Sequence, residues 1–456
     1  MKRILWFRRD LRVEDNPLLA LEGEVLPIFI FDPAILDSLS KNDRRITYIF
    51  TALMRLKEDL AYRGLDLALF YGKPTDVFTW LLTQNSFDEV AASGDYDSYA
   101  LERDRDVSHI LEFNPIHDTY IFGPDEVLKN DGTPYLVFTP FYNKTKTVFN
   151  PMHMQPSIPA PQGLIDCDYA QIHRIDEQGH TMLPMTLESL GFIPQILTQR
   201  QKMTPHEKLK HFAAKLSSYP KARDIMAQKG TSGLGADLRF GTIGVRALLR
   251  WLVEQKKQGI DTEPFFRQLI FRDFYAMLLA HYPRLATRNF RYPFKGVENQ
   301  EYFDAFCTGR TGVPIVDAGI RELLETGEMH NRVRMICASF FTKNLLLPWQ
   351  WGEQFFAQHL MDYDAASNIL SWQWSAGTGV DPQPYFRIFN PYTQTLRFDK
   401  NGVYIKQYLL EVAEVPPKIL SDEEMLTHYE ISNYPKPIVD HKTSSKKALE
   451  YFKHSL

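Results

Sequence analysis

The chain has 456 residues, 44% of them hydrophobic and 24% charged, with a net charge of −4. That length exceeds one ordinary domain and asks for two or three, in the composition of a soluble globular protein. The three cysteines, Cys167, Cys307 and Cys337, exclude a disulfide framework and the four thiolates of an iron–sulfur cluster. No CxxC or Cys/His grouping reads as a zinc site, so no metal is expected.

The chain opens directly on a strand-like run, Ile4–Phe7. It shows no signal-peptide layout and no apolar run of membrane-spanning length, so the expectation is a cytoplasmic protein with no membrane partner. Further apolar runs at Val25–Phe31, Leu65–Tyr71, Glu89–Ala92 and His117–Ile121 alternate with helical stretches at Arg44–Arg63 and Pro74–Thr83. Buried strands alternating with helices predict an α/β domain with a doubly wound parallel sheet over residues 1–130. No GxGxxG follows the first strand, which argues against a dinucleotide site there.

Residues 131–203 read as a connecting segment. The run FNPMHMQPSIPAPQ from Phe149 carries four prolines, the composition of a surface linker, and the pattern stays irregular to about residue 200. From about Thr204 the period turns helical, at Val245–Lys257, Pro264–His281, Val313–Thr326, His330–Leu346 and Glu353–Ala366. With no alternating strand among them, residues 204–456 are expected to form an all-α domain. Residues 1–135 hold 15 Lys and Arg against 24 Asp and Glu, and the remainder 37 against 32. An acidic first part and a basic second part suit a polyanion partner for the second, and suit chance equally well.

Four segments of the helical region carry chemistry. Gly230–Leu238, GTSGLGADL, sets small and hydroxyl residues ahead of a helix. Such a stretch suits a phosphate, and taken alone it reads first as a glycine-rich cap. In FFRQLIFRDFYAML, Gln268 and Arg272 stand four apart on one helix face, with Phe265 three before Gln268. In GEMHNRVRMICASFF, Asn331, Arg334, Met335 and Ala338 share a face. In DYDAASNILSWQW, Asp364, Asn368 and Trp372 follow at intervals of four, lining up a carboxylate, an amide and an indole as a heteroaromatic ring would require.

These segments in this order resemble the cryptochrome/photolyase family, and most of all its class I cyclobutane pyrimidine dimer photolyases. The resemblance runs from ILWFRRDLRVEDNPLL through TGVPIVDAGIR and MHNRVRM to SWQWSAGTGVDPQPYFRIFNP, nearly the whole chain. It implies an α/β antenna-type domain, a connecting segment and a helical FAD-binding domain. It also implies light-driven repair, in which reduced FAD lends an electron to a flipped-out dimer in UV-damaged DNA and recovers it after the cyclobutane ring opens. By the resemblance, FAD is held by Tyr219, by Thr231, Ser232, Gly233, Leu234 and Gly235, and by Arg272, Asn331, Arg334, Asp362, Asp364 and Asn368. Asn368 faces the redox-active ring nitrogen, and Arg334 pairs with Asp362. Gln268, Asn331, Met335 and Trp374 line the dimer pocket, Arg332 and Arg387 meet phosphates, and Trp372 and Trp349 relay electrons. Relatives of this kind are usually monomers, and many hold an antenna, a methenyltetrahydrofolate or a deazaflavin. Glu102 matches a folate contact, but Leu101 replaces its usual Asn neighbour, so the antenna stays open.

Four departures stand out against the family. Gln268 replaces the usual Glu, as in (6-4) photolyases and animal cryptochromes, yet those (6-4) enzymes carry paired histidines where this chain has His330–Asn331. Glu328 stands where a Trp is usual. Gly233 replaces the Arg of TSRL, and the third relay tryptophan has no counterpart. A cryptochrome photoreceptor and a (6-4) photolyase are therefore the alternatives to dimer repair.

Overall fold

The first four apolar runs of the sequence become strands of one sheet. The structure is a computed structural model and describes all 456 residues. The strands are β1 (Lys2–Phe7), β2 (Gly23–Phe31), β3 (Ala68–Tyr71), β4 (Glu89–Ser93), β5 (Phe113–Ile116), β6 (Gln162–Leu164), β7 (Ile172–Asp176) and β8 (Gly179–Leu183). Their order is β5-β4-β1-β2-β3-β7-β8, with β6 alongside β2. All pairs are parallel except the β7–β8 hairpin. Helices between the first five strands cover both faces, so the strands are continuous hydrophobic runs rather than alternating ones. Ile4, Phe7, Val25, Ile28, Phe70 and Val90 are fully buried. The doubly wound α/β fold class expected from the sequence is the one observed.

Two expectations here need correction. The strand expected at His117–Ile121 lies at Phe113–Ile116 instead. The backbone N–H groups of Ile121 and Phe122 donate to Asp273 Oδ2, each at 2.9 Å, rather than to a neighbouring strand. The stretch read as irregular to residue 200 contains β6, β7 and β8. The sequence hides β8 because it is a polar, largely exposed edge strand, GHTML, of the kind that escapes a hydrophobic pattern.

After Leu183 every element is helical. By their internal contacts the residues form two compact units. One comprises Met1–Pro134, Tyr142–Lys210 and Gly233–His281; the other comprises Tyr135–Phe141, His211–Ser232 and Tyr282–Leu456. The core of the second unit is built on the helices Pro314–Thr326, Asn331–Ser339, Trp349–His359 and Ala365–Ala376, around Val333, Phe341, Phe356 and Trp372. Gly319 is needed for that packing, since a Cβ there would collide with Val333.

Two helices differ from their sequence reading. His330–Leu346 is not one helix: Asn331–Ser339 is α-helical, His330 caps it by accepting from the Arg332 N–H, and Phe340–Asn344 widens into a π turn. Glu353–Ala366 is broken at residues 360–364. Leu360 is extended, and Asp364 starts a new helix by accepting from the Ser367 N–H at 3.0 Å. The apolar period runs through this break, but an Asp N-cap ends one helix and begins another.

Candidate functional site

Asn331, Arg334 and Met335 are placed by the Asn331–Ser339 helix, and Asp362, Asp364 and Asn368 by the junction between the next two helices. Arg334 is fixed from two sides: Nε donates to the Met329 carbonyl at 2.8 Å, and Nη2 donates to both carboxylate oxygens of Asp362 at 2.9 Å. The pairing expected from the sequence is present, in the charge-assisted form that restricts guanidinium orientation. Asp364 is spent on capping the Ala365–Ala376 helix, which points Asn368 one turn along it.

Asn368 is nearly buried, and its amide is oriented by Glu353. Nδ2 donates to the Glu353 backbone carbonyl at 3.1 Å and to its side-chain Oε1 at 2.9 Å. A carbonyl oxygen only accepts, so the amide nitrogen must face Glu353 and Oδ1 is turned away from it. Tyr363 O–H donates to the same Glu353 oxygen at 3.3 Å. Burial pushes the Glu353 carboxyl up from its ordinary value. The arrangement presents a hydrogen-bond acceptor, held from behind, to whatever ring N–H lies in front of it. Sequence reasoning missed Glu353; the only signal was one acid in the apolar run WGEQFF.

Trp372 is enclosed by Phe341 and Phe356, whose ring centroids lie 5.4 and 4.9 Å away in edge-on contact. Gly352 lets the indole lie against the helix backbone, where any Cβ would collide with it. Trp349 stands one turn before Gly352 on the same helix, and its Nε1 donates to Asn289 Oδ1 at 2.8 Å. Both indoles expected as a relay belong to the second unit, on the helices Trp349–His359 and Ala365–Ala376.

The remaining expected residues divide between the units. Tyr219, Thr231 and Ser232 belong to the second. Tyr219 is buried edge-on against Phe212, and Gly230 keeps the approach to Ala222 that a Cβ would block. Asn331 Nδ2 reaches Met335 Sδ at 3.8 Å, while Trp374 is half-buried. Arg332 is drawn inward, with Nη2 on Asp224 at 2.9 Å and its guanidinium 4.5 Å from the Phe398 ring centre; Arg387 is exposed.

Gly233, Leu234, Gly235, Gln268 and Arg272 belong to the first unit. Gly233 has φ +72°, and a side chain there would run into the Arg200 guanidinium. The loss of the family arginine at this position is therefore matched by an arginine from another segment. Gly235 opens the Gly235–Phe240 helix, which is pinned by buried Asp237 accepting from Lys208 Nζ at 2.6 Å and from Tyr48 and Thr242 hydroxyls at 3.0 Å. Arg272 donates to the carbonyls of Thr119 at 2.8 Å and Leu238 at 2.9 Å, and Gln268 Nε2 turns back to the Pro264 carbonyl at 3.3 Å. At the carboxyl ends of β1 and β4, where the strand order reverses, Arg8 is held by Asp104 and the Ser93 carbonyl, and Arg9 by Asp95 at 2.7 Å. Glu102 is exposed beside Arg105, 3.8 Å away.

The acceptor at Asn368 and the fixed Arg334–Asp362 pair fit the isoalloxazine of a flavin, and the comparisons with known proteins agree. Residues 3–162 match the family model described as DNA photolyase, and residues 265–454 the one described as the FAD binding domain of DNA photolyase. The deoxyribodipyrimidine photo-lyase of Alkalihalophilus pseudofirmus is 35% identical over 99% of this chain and 98% of its own. That of Escherichia coli is 31% identical over 98% and 97%. A class III photolyase from Agrobacterium tumefaciens superposes with a TM-score of 0.85 at 28% identity, covering 100% of this chain and 97% of its own. A photolyase from Sulfolobus tokodaii carrying two FAD molecules superposes at 0.84 with 29% identity, covering both chains entirely. The chain belongs to the DNA photolyase family.

Proposed function

We propose that this enzyme splits cyclobutane pyrimidine dimers in UV-damaged DNA, driven by light absorbed by bound, reduced FAD. Two observations support this reading: the end-to-end similarity to deoxyribodipyrimidine photo-lyases and the Asn368 amide fixed by Glu353. When bound and reduced, FAD supplies the absorption of light and the electron that is lent to the dimer and returned once the ring has opened.

The protein supplies position and electrostatics. Asn368 would meet the ring N–H of the reduced flavin with its Oδ1. Arg334 and Asp362 would hold the polar edge of the ring. Tyr219, Thr231, Ser232, Gly233, Leu234, Gly235 and Arg272 take the rest of the cofactor, with residues 1–130 as the antenna-type domain, 131–203 connecting and 204–456 catalytic. Asn331, Met335, Trp374 and Gln268 receive the flipped dimer, where the amide of Gln268 can donate but carries no acidic proton. Arg387 takes a strand phosphate. Arg332 serves this region from its pairing with Asp224. No helix is long and apolar enough to cross a membrane. We place the enzyme in the cytoplasm, a reading that its three free cysteines support, and take it to be a monomer as relatives of this kind usually are.

The test is repair by the reduced holoprotein of an oligonucleotide carrying one thymine dimer, under blue light with a dark control. Restored thymines in the light alone are expected. A protein that binds and photoreduces FAD but restores nothing contradicts the reading.

A further inference from the structure

Lys343 stands in the π turn Phe340–Asn344 with none of its surface exposed. A buried ammonium is costly unless partnered, yet no carboxylate pairs with it. The Tyr385 carbonyl accepts from Nζ at 3.0 Å, and the face of Phe452 lies 4.3 Å from Nζ. Gly377, at φ +83°, leaves room for the ammonium; a Cβ there would stand 3.3 Å from it. Three pieces of chain therefore converge on one nitrogen. They are the end of the helix that carries Trp372 and Trp374, the segment around Tyr385, and the His441–His454 helix. Phe452 itself belongs to a small apolar cluster with Phe294 and Ala448, against which Tyr385 and Ile388 pack.

Tyr385 occupies the second position of a tight turn closed by the Arg387 N–H donating to the Pro384 carbonyl at 2.9 Å. The next two residues of that turn face outward: Phe386 is 64% exposed, and Arg387 is exposed beside it. Holding the Tyr385 carbonyl from inside sets the plane of the following peptide, and with it the direction of both side chains. We infer that Lys343 is a positioning residue for DNA, fixing the Pro384–Arg387 turn so that Phe386 and Arg387 are presented to the damaged strand. The inference rests on the reading that Arg387 meets a phosphate. An apolar side chain of the same length would fill the space but leave the Tyr385 carbonyl without its donor.

The charge on this donor is itself marginal. Burial lowers the lysine to about 7. On the His441–His454 helix the lysines, Glu450 and His454 are exposed, His441 Nδ1 accepts from the Asn344 amide at 3.0 Å, and Tyr451, like Tyr385, lies against the Phe452 ring, at 5.5 and 6.1 Å. None of them pairs with Nζ to hold the proton. The hold on the turn therefore weakens as pH rises through neutrality.

The experiment compares wild type, Lys343→Met and Arg387→Gln as FAD-loaded proteins. It measures the Kd for a dimer-bearing duplex at pH 6.5 and 8.5, and the repair rate of the saturated complex. Lys343→Met should raise Kd about tenfold at pH 6.5 and leave the saturated rate unchanged. The wild-type Kd should rise toward that of the variant at pH 8.5, while the variant's does not follow. If Lys343→Met binds like wild type at pH 6.5 while Arg387→Gln is weakened, the phosphate reading stands and the positioning role is overturned. If Arg387→Gln binds like wild type, the phosphate reading fails and the positioning role falls with it. Should Lys343→Met fail to fold, the wild-type profile decides: a Kd that does not rise from pH 6.5 to 8.5 overturns the inference.

Discussion

The amide nitrogen of Asn368 lies 2.9 Å from Glu353 Oε1 and 3.1 Å from the same residue's backbone carbonyl. The backbone contact alone settles which end of the amide faces forward, and the side chain locks it. Glu353→Leu removes the lock and leaves a buried amide half-satisfied, which costs about 1–3 kcal/mol. The reduced flavin should then reoxidise about tenfold faster in air in this variant. Glu353→Gln, which can still accept, should behave nearly as wild type. Absorbance of the reduced cofactor over time reads both.

Arg334 spends two hydrogen bonds on Asp362 and one on a carbonyl. Asp362→Asn keeps the shape and removes the opposing charge, so the guanidinium loses its fixed orientation. FAD should be retained about tenfold less tightly, because a charge-assisted pair exceeds a neutral one by about that factor. Flavin fluorescence released on dilution measures it.

Asp273 accepts from two backbone N–H groups, and burial lifts its carboxyl to about 7. Since the folded value lies above the ordinary 3.8, the group's contribution is complete below about pH 4 and is lost as pH rises toward 7. Asp273→Asn retains an acceptor for both N–H groups and does not ionise. Its thermal midpoint should pull ahead of wild type progressively from pH 4 to 7, by several degrees, and hold that lead above pH 7. Melting curves across that range decide it.

Gln268 cannot offer the acidic proton that the family's usual Glu brings to the dimer. Gln268→Glu should raise repair per absorbed photon severalfold without changing FAD content. If Glu328 supplies a carboxylate in its place, Glu328→Gln lowers the wild-type yield; an unchanged yield removes Glu328 from the mechanism.

Trp372 lies against Gly352, and Trp349 stands one turn before that glycine on the same helix. Trp349→Phe should slow light-driven reduction of oxidised FAD by at least tenfold. Repair by chemically reduced enzyme should be unaffected, because the relay only refills the cofactor. Transient absorption and the repair assay separate the two.

Much of this architecture was legible in the residues, and the failures have physical causes. The runs ILWF and VLPIFIF read as buried parallel strands because both faces of the sheet are covered. The helix Val245–Lys257 was legible to the residue, since its amphipathic period ends in lysines. The break at residues 360–364 was not, because the apolar spacing continues through it and only the Asp364 cap interrupts the helix. His117–Ile121 has the composition of a strand, but the N–H groups of Ile121 and the following Phe122 are satisfied by the distant Asp273. The Arg334–Asp362 pair followed from family resemblance. Glu353 and Lys343 did not, since each acts through a backbone carbonyl or an amide far along the chain, which no local pattern records.

The central claim, electron transfer from reduced flavin to a dimer, is tested most directly by the excited-state lifetime of the reduced holoenzyme. It would be measured with dimer-bearing DNA, with undamaged DNA and with no DNA. The lifetime should shorten with the dimer alone and return to its unbound value as illumination consumes the dimer and thymine appears. A lifetime unchanged by saturating dimer-bearing DNA would contradict the account.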